Sequence, residues 1–219
     1  MKNYTDTWQH KGLRNKLVST LRDKGITDEK VLAAINTIPR HFFLDSAFDK
    51  IAYEDRAFPI AEGQTISQPY TDAYQTQLFE VQPYQIILEV GTGSVYQATV
   101  LAELGAKVFT IERQKKLFGD NKTFIFKNKY PNIKFFYGDG FEGLPTYAPF
   151  DKIIITAGAP FIPPKLLDQL SVGGRMVVPV NEGEHQRMIR ITKMRDGSFN
   201  EESFDYFSFV PMLQGKTGR

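Results

Sequence analysis

The stretch Ile87-Leu88-Glu89-Val90-Gly91-Thr92-Gly93-Ser94 carries an apolar, β-type run directly into two closely spaced glycines. Glycine at such a reversal lets the chain turn tightly and lets backbone approach a ligand with no Cβ in between. A carboxylate, Glu112, ends the next β-type run, 21 residues after Gly91. An acid about 20 residues downstream of such a turn is spaced to meet ribose hydroxyls. A second acid, Asp139, stands in Gly138-Asp139-Gly140 after a third run. Each feature alone is compatible with a plain turn or a solvated carboxylate. Together, on three successive strand ends, they predict a nucleoside-binding site, because open α/β sheets bind ligands at the carboxyl ends of their strands.

The nucleoside belongs to a dinucleotide or to S-adenosylmethionine. A dinucleotide turn places glycine at the sixth position of G-x-G-x-x-G, which is Tyr96 here, and no second βαβαβ half follows. Both facts disfavour NAD. Composition narrows the chemistry further. The 219 residues contain no cysteine, so thiol nucleophiles, disulfides and Cys-based metal sites are excluded. His10, His41 and His185 lie far apart in sequence and form no metal-spaced pair, so no metal is expected. The balance of 27 Lys+Arg against 25 Asp+Glu gives no global attraction to nucleic acid or acidic membrane.

The elements that must position these residues follow from periodicity. Leu13, Leu17 and Leu21 share one helix face. Val31, Leu32, Ile35 and Ile38 supply another, with Thr27 as candidate N-cap and Pro39 as stop. Ala57–Tyr70 has Pro59, Gly63 and Pro69 and no periodicity, which predicts a structured loop. From Gln85 on, short β-type runs at Ile86–Val90, Val108–Ile111, Ile133–Tyr137, Ile153–Thr156 and Met176–Val180 alternate with helix-length segments. One helix starts near Tyr96, one is expected over Gln114–Lys129, and one carries Leu166, Leu167 and Leu170. Alternation of this kind predicts a parallel, doubly wound sheet. Met188–Lys193 and Phe204–Val210, joined through Asp196-Gly197-Ser198, predict antiparallel strands at its end. The start of the chain does not read as a secretory signal and no apolar run approaches the ~20 residues of a membrane span, so a cytoplasmic protein is expected.

The chain resembles the protein-L-isoaspartate (D-aspartate) O-methyltransferase family from about Leu17 to Gly215. The matching pieces are Ile38–Phe43, Ala52–Asp55, the loop Gly63-Gln64-Thr65-Ile66-Ser67-Gln68-Pro69-Tyr70, Glu89–Ser94, Tyr96–Ala98, Gly138–Gly140, Pro149–Asp151, Leu170–Arg175 and Val178–Val180. The glycine turn and Gly-Asp-Gly are shared by many methyltransferases, whereas the Gly63–Tyr70 loop is specific to this family. The resemblance implies an α/β, Rossmann-like fold with a mostly parallel seven-stranded sheet and an N-terminal helical extension. It implies a single methyltransferase domain: a helical segment and substrate loop over 1–80, a cofactor-binding core over 81–180, and C-terminal antiparallel strands over 181–219.

The implied activity is methyl transfer from S-adenosyl-L-methionine, leaving S-adenosyl-L-homocysteine, to the α-carboxyl of isoaspartyl residues in damaged proteins. The ester closes to a succinimide that reopens partly to aspartate. By position, Ser67 matches the active-site hydroxyl, in a substrate loop that also includes Gln64, Thr65, Ile66 and Gln68. Glu89, Gly91, Thr92 and Gly93 match the methionine end of the cofactor site, Glu112 the ribose acid, and Asp139 and Gly140 the adenine loop. The residue types suit this chemistry. A carboxylate with a pKa near ~4 is already ionised at neutral pH, so alignment is required and a general base is not. The expected partners are isoaspartyl proteins and peptides, with no membrane and no nucleic acid, and a monomer is the expected state.

One position departs from the family pattern. Val95 follows Ser94 where a further glycine is favoured. At positive φ a β-branched residue costs on the order of 1–3 kcal/mol; at negative φ its side chain presses on the methionine moiety or a neighbouring helix. Cofactor binding that is retained but weakened is the expectation. Tyr84-Gln85 likewise replaces the usual Gly-Asp before the first strand. Other readings stay open: a methyltransferase of the same fold acting on another carboxylate, a weakened cofactor binder, or a nucleic-acid module. The last would use the basic stretch Arg113–Lys134, with Phe118, Phe124, Phe126 and Tyr130 interleaved, although an amphipathic helix with its lysines in water and its phenylalanines on the sheet is the favoured reading of that pattern.

Overall fold

The computed structural model describes residues 4–218. Two helices, α1 (Trp8–Asp23) and α2 (Glu29–Thr37), open the chain and are followed by single 3₁₀ turns at Arg40–Phe43 and Ser46–Ile51. Asp28, not Thr27, caps α2: its carboxylate accepts from the amides of Lys30 and Val31. Thr27 instead donates its amide and hydroxyl to Gln77. The Ala57–Tyr70 loop holds a small antiparallel ladder, β1 (Phe58–Pro59) with β2 (Thr65–Ile66), and leads into α3 (Pro69–Phe79), which starts on Pro69.

The main sheet contains β3 (Ile86–Val90), β4 (Lys107–Glu112), β5 (Ile133–Tyr137), β6 (Phe150–Ile155), β7 (Leu170–Glu182), β8 (His185–Lys193) and β9 (Phe199–Phe207). Its seven strands lie in the order β5-β4-β3-β6-β7-β8-β9. Pairing is parallel from β5 to β7 and antiparallel from β7 to β9, as the sequence pattern predicts. Strand order reverses between β3 and β6, so the switch point opens directly after Val90. Alternation along the strands divides the core. Ile87, Ile154 and Val177 face α4 (Tyr96–Glu103) and the N-terminal helices, while Leu88, Ile153, Ile155 and Met176 face Phe141 and Leu166 of α6 (Pro164–Asp168). Each such side chain contributes about 1.5–3 kcal/mol by leaving water.

The helix expected over Gln114–Lys129 is shorter. It is α5 (Lys115–Asn121), followed by turns. Phe124 and Phe126 are two residues apart and would lie on different faces of a helix. In turns, both reach the aromatic cluster of the N-terminal segment: Phe126 stacks on Phe42 at 5.7 Å and Phe124 meets Phe43 at 5.9 Å. The lysines of this stretch, including Lys122, Lys127 and Lys129, stay exposed. Phe124 and Phe126 are therefore engaged in packing, half-buried against the N-terminal aromatic cluster, while the lysines face solvent.

The N-terminal segment is tied down by polar contacts that sequence spacing does not reveal. His10 and His41, 31 residues apart, stack with centroids 3.8 Å apart. His41 shares a 2.7 Å hydrogen bond with Tyr53, and His10 contacts Asp49 at 3.1 Å. Asp6, His10 and His41 bring donor atoms within 4.8 Å of one another, but Arg14 grips both oxygens of Asp6 and the imidazoles lie face to face. Among the described residues no helix is long and apolar enough to cross a membrane.

Candidate active site

A cleft of about 760 Å³ opens at the switch point, over the carboxyl ends of β3, β4 and β6. The turn Gly91–Ser94 forms its floor, Gln64–Ser67 one wall and Val210–Leu213 another. Gly91 is required on two counts. Its φ is +103°, and an added Cβ would lie 2.5 Å from Oγ1 of Thr156. Thr156 in turn donates to the carbonyls of Val90 and Gly91 at 3.0 and 2.8 Å, clamping the turn to the end of β6.

Glu112 ends β4 at the cleft and is buried. One carboxylate oxygen accepts from the amide of Gly93 at 3.0 Å and the other from the amide of Gln114 at 2.8 Å. A carboxylate has about four lone-pair sites, so two remain for hydroxyls in the cleft. Thr92 also lines the cleft, its hydroxyl paired with that of Thr110 at 2.6 Å.

Not every residue picked from sequence faces the cleft. Gly140 lines it, and a Cβ there would lie 2.4 Å from Val90. Asp139 is turned away, accepting from the amide of Phe141 at 2.9 Å and of Gly215 at 2.7 Å. Its carboxylate thus holds the C-terminal segment over the strand ends. Glu89 is fully buried behind the glycine turn, and neither oxygen has a hydrogen-bond partner. Burial pushes its pKa up to about 8, and the nearby Asp72 adds to the shift.

In the loop, Gln64, Thr65, Ile66 and Ser67 line the cleft, whereas Gln68 points outward. Asp55 pins the loop from outside: its carboxylate accepts from the Tyr70 amide at 2.8 Å, from the Gln68 side chain at 3.1 Å and from Lys24 at 2.6 Å. Beyond Ser67 lies a second cleft of about 1110 Å³, lined among others by Arg56, Gln68, His185 and Tyr206. Thr65, Ser67, Thr156 and Val210 border both clefts. Ser67 therefore stands where one cavity passes into the other.

Val95 has φ +72° and ψ 0°, the left-handed conformation that favours glycine. Its side chain is buried on the side away from the cleft, in a groove shared with Phe43, Ile60 and Phe124. Pressure on the methionine end does not arise from this geometry; the departure from glycine resides in the backbone. Sequence reasoning missed several lining residues. Thr156 was readable as the last residue of a strand beside the glycine turn. The C-terminal segment was not. Strand β9 stops at Phe207 rather than Val210, because the chain leaves the ladder to bond Gly158 through Val210 and Met212. Arg113 then holds the carbonyls of Gln214 and Gly215.

Comparison with known proteins agrees with this architecture. The family model described as protein-L-isoaspartate(D-aspartate) O-methyltransferase matches residues 12–217. A protein-L-isoaspartate O-methyltransferase of Christiangramia forsetii is 53% identical over 211 residues, covering 96% of this chain and 99% of that one. One of Cytophaga hutchinsonii is 53% identical over 213 residues, covering 97% and 96%. Among solved structures, a protein-L-isoaspartate O-methyltransferase superposes with a TM-score of 0.81 at 27% identity, covering 90% of this chain and 65% of that longer one. A Plasmodium falciparum structure, described as the same type of enzyme in complex with S-adenosyl-L-homocysteine, shares the fold with a TM-score of 0.78 at 24% identity, covering 91% and 98%. The chain belongs to the protein-L-isoaspartate (D-aspartate) O-methyltransferase family.

Proposed function

We propose that this protein uses S-adenosyl-L-methionine to methylate the free α-carboxyl of L-isoaspartyl residues, and the side-chain carboxyl of D-aspartyl residues, in damaged proteins, and so initiates their repair. The observation that carries this reading is the meeting of two clefts at Ser67, one over the glycine turn and Glu112 and the other bordered by Arg56, Gln68 and Tyr206. The residues present suit the cofactor. Gly91 and Gly93 leave the floor free of side chains, and the two spare lone-pair sites of Glu112 suit a ribose diol. Thr92 and the backbone of Gly93 border the methionine end. Gly140 and the C-terminal segment border the adenine end, with Asp139 supporting that segment from behind. Glu89 acts from beneath the turn.

The cofactor supplies an activated methyl group on a sulfonium. The protein supplies alignment. Ser67 donates a hydrogen bond to the incoming carboxylate and holds one of its oxygens at the mouth of the cofactor cleft. Gln64, Thr65 and Ile66 close the cleft wall around it, and Gln68 ties the loop to Asp55. Orientation of this kind can provide several kcal/mol of the barrier reduction. The nucleophile is ionised already, so no residue need accept a proton. Excluding water favours a reaction in which opposite charges meet and cancel.

Repeated turnover provides the test. An isoaspartyl peptide incubated with the protein and S-adenosylmethionine is expected to yield its normal aspartyl isomer, resolved by chromatography. No conversion, with the methyl donor unconsumed, would overturn the assignment.

A further inference from the structure

Directly beneath Ser67 lie a buried arginine and a buried acid, Arg40 and Asp72. Arg40, fully buried at the start of its 3₁₀ turn, donates from Nη2 to the carbonyl of Ser67 at 2.5 Å. Its Nη1 lies 3.4 Å from Oδ2 of Asp72, and its guanidinium sits 4.8 Å over the Tyr96 ring. Asp72, in the first turn of α3, is 2% exposed and lines the same cleft as Ser67. One guanidinium thus grips the loop backbone at Ser67 and the acid beneath it. The contact to Asp72 is long, and Nε of Arg40 has no partner.

An acid in this place conflicts with the reaction. Its charged form attracts the Ser67 hydroxyl proton and repels the carboxylate that Ser67 must receive. Its protonated form does the reverse: it needs no proton from Ser67 and places no second negative charge beside the substrate. We propose that Arg40 and Asp72 are positioning residues for Ser67, with Arg40 fixing the loop backbone and a protonated Asp72 freeing the hydroxyl for the substrate carboxylate. The inference rests on the methyl-transfer reading given above.

The surroundings of Asp72 favour the protonated form. Burial raises its pKa to about 7, against the opposing pull of Arg40 and the Ser67 hydroxyl. Asp55, which anchors the loop from outside, pushes in the same direction as burial. Glu89 and Tyr96 also face it electrostatically, and Glu89 is itself displaced upward. Around Asp72, Glu89 is thus a second acid displaced upward, and Arg40 is the cation in contact with Asp72.

Steady-state kinetics on an isoaspartyl peptide from about pH 6 to about pH 8 provide the test, with the wild type, Asp72→Asn and Arg40→Lys. In the wild type, KM for the peptide is expected to rise roughly tenfold as Asp72 ionises, as for a like charge at one site. Asp72→Asn keeps the shape without the charge, so its KM should stay flat. An infrared band of a protonated carboxyl group should be lost from the wild type across the same range, and that change should be diminished in Asp72→Asn. Arg40→Lys keeps a charge but loses the planar fork that reaches Ser67 and Asp72 from two separate nitrogens. It is expected to lower kcat about tenfold while calorimetric affinity for S-adenosylmethionine stays within about twofold. An Asp72→Asn variant that keeps the pH dependence of KM, or an Arg40→Lys variant with wild-type kcat, overturns the inference. If Arg40→Lys fails to fold, the Asp72→Asn comparison still decides. Absence of wild-type methylation would instead refute the underlying reading.

Discussion

At the residue scale, the cleft separates groups that meet ligand from groups that hold the frame. Ser67 borders both cavities, so Ser67→Ala should remove a hydrogen bond to a charged substrate. Such bonds are worth about 1.5–3 kcal/mol, or roughly 10–100-fold in turnover. Affinity for S-adenosylmethionine by calorimetry should change little; unchanged turnover would remove Ser67 from the mechanism. Val95 illustrates a departure that sequence can flag but not interpret. Its left-handed backbone costs on the order of 1–3 kcal/mol, while its buried side chain returns a comparable amount. Val95→Gly is therefore expected to change unfolding free energy by less than about 1 kcal/mol, read by denaturant titration. Because the side chain faces away from the cleft, cofactor affinity should move less than about threefold. A tenfold gain would show that the strained valine distorts the turn.

At the element scale, the loop from Phe58 to Tyr70 is held by a short ladder inside and by Asp55 outside. Asp55→Ala should free Gln68 and the Tyr70 amide. It is expected to raise peptide KM and lower kcat together, by about tenfold in kcat/KM, with cofactor affinity retained; separate calorimetric and kinetic measurements check this. The loop's existence was legible from Pro59, Gly63 and Pro69. Its anchor was not, because Asp55 acts across 15 residues on the Tyr70 amide. The parallel strands and the glycine turn were legible for a simple reason: apolar runs bounded by glycine state their own limits. The helix over Gln114–Lys129 misled, because residue propensity gives no sign that Phe124 and Phe126 must both reach Phe42 and Phe43. The C-terminal segment over the cleft was equally hidden, since its course depends on Gly158, Arg113 and Asp139.

At the scale of the whole molecule, the polar groups beneath the site make stability depend on pH. The ordinary pKa of Glu89 is 4.5, and in the fold it is pushed up to about 8. Between those values the native state binds the proton more tightly, so this contribution to stability falls as pH rises. Asp72 has the same sign between 3.8 and about 7. His41 opposes them at the acid end. Burial lowers its pKa from 6.5 to about 4, so its contribution is lost as pH falls through that window. The cofactor-free protein is therefore expected to lose thermal stability from about pH 6.5 to about pH 8. Glu89→Gln, which cannot ionise, should lose less; calorimetric scans showing the same decline in both proteins would contradict this.

The same scale explains how a chain without cysteine suits the reaction: nucleophile and electrophile both arrive with the ligands, and the fold has only to bring two clefts together at one hydroxyl. The most direct test of that account uses labelled S-adenosylmethionine and two peptides that differ only in carrying aspartate or isoaspartate. Label is expected on the isoaspartyl peptide alone, released by mild base as an ester is. Equal labelling of both peptides, or label that resists mild base, would contradict it.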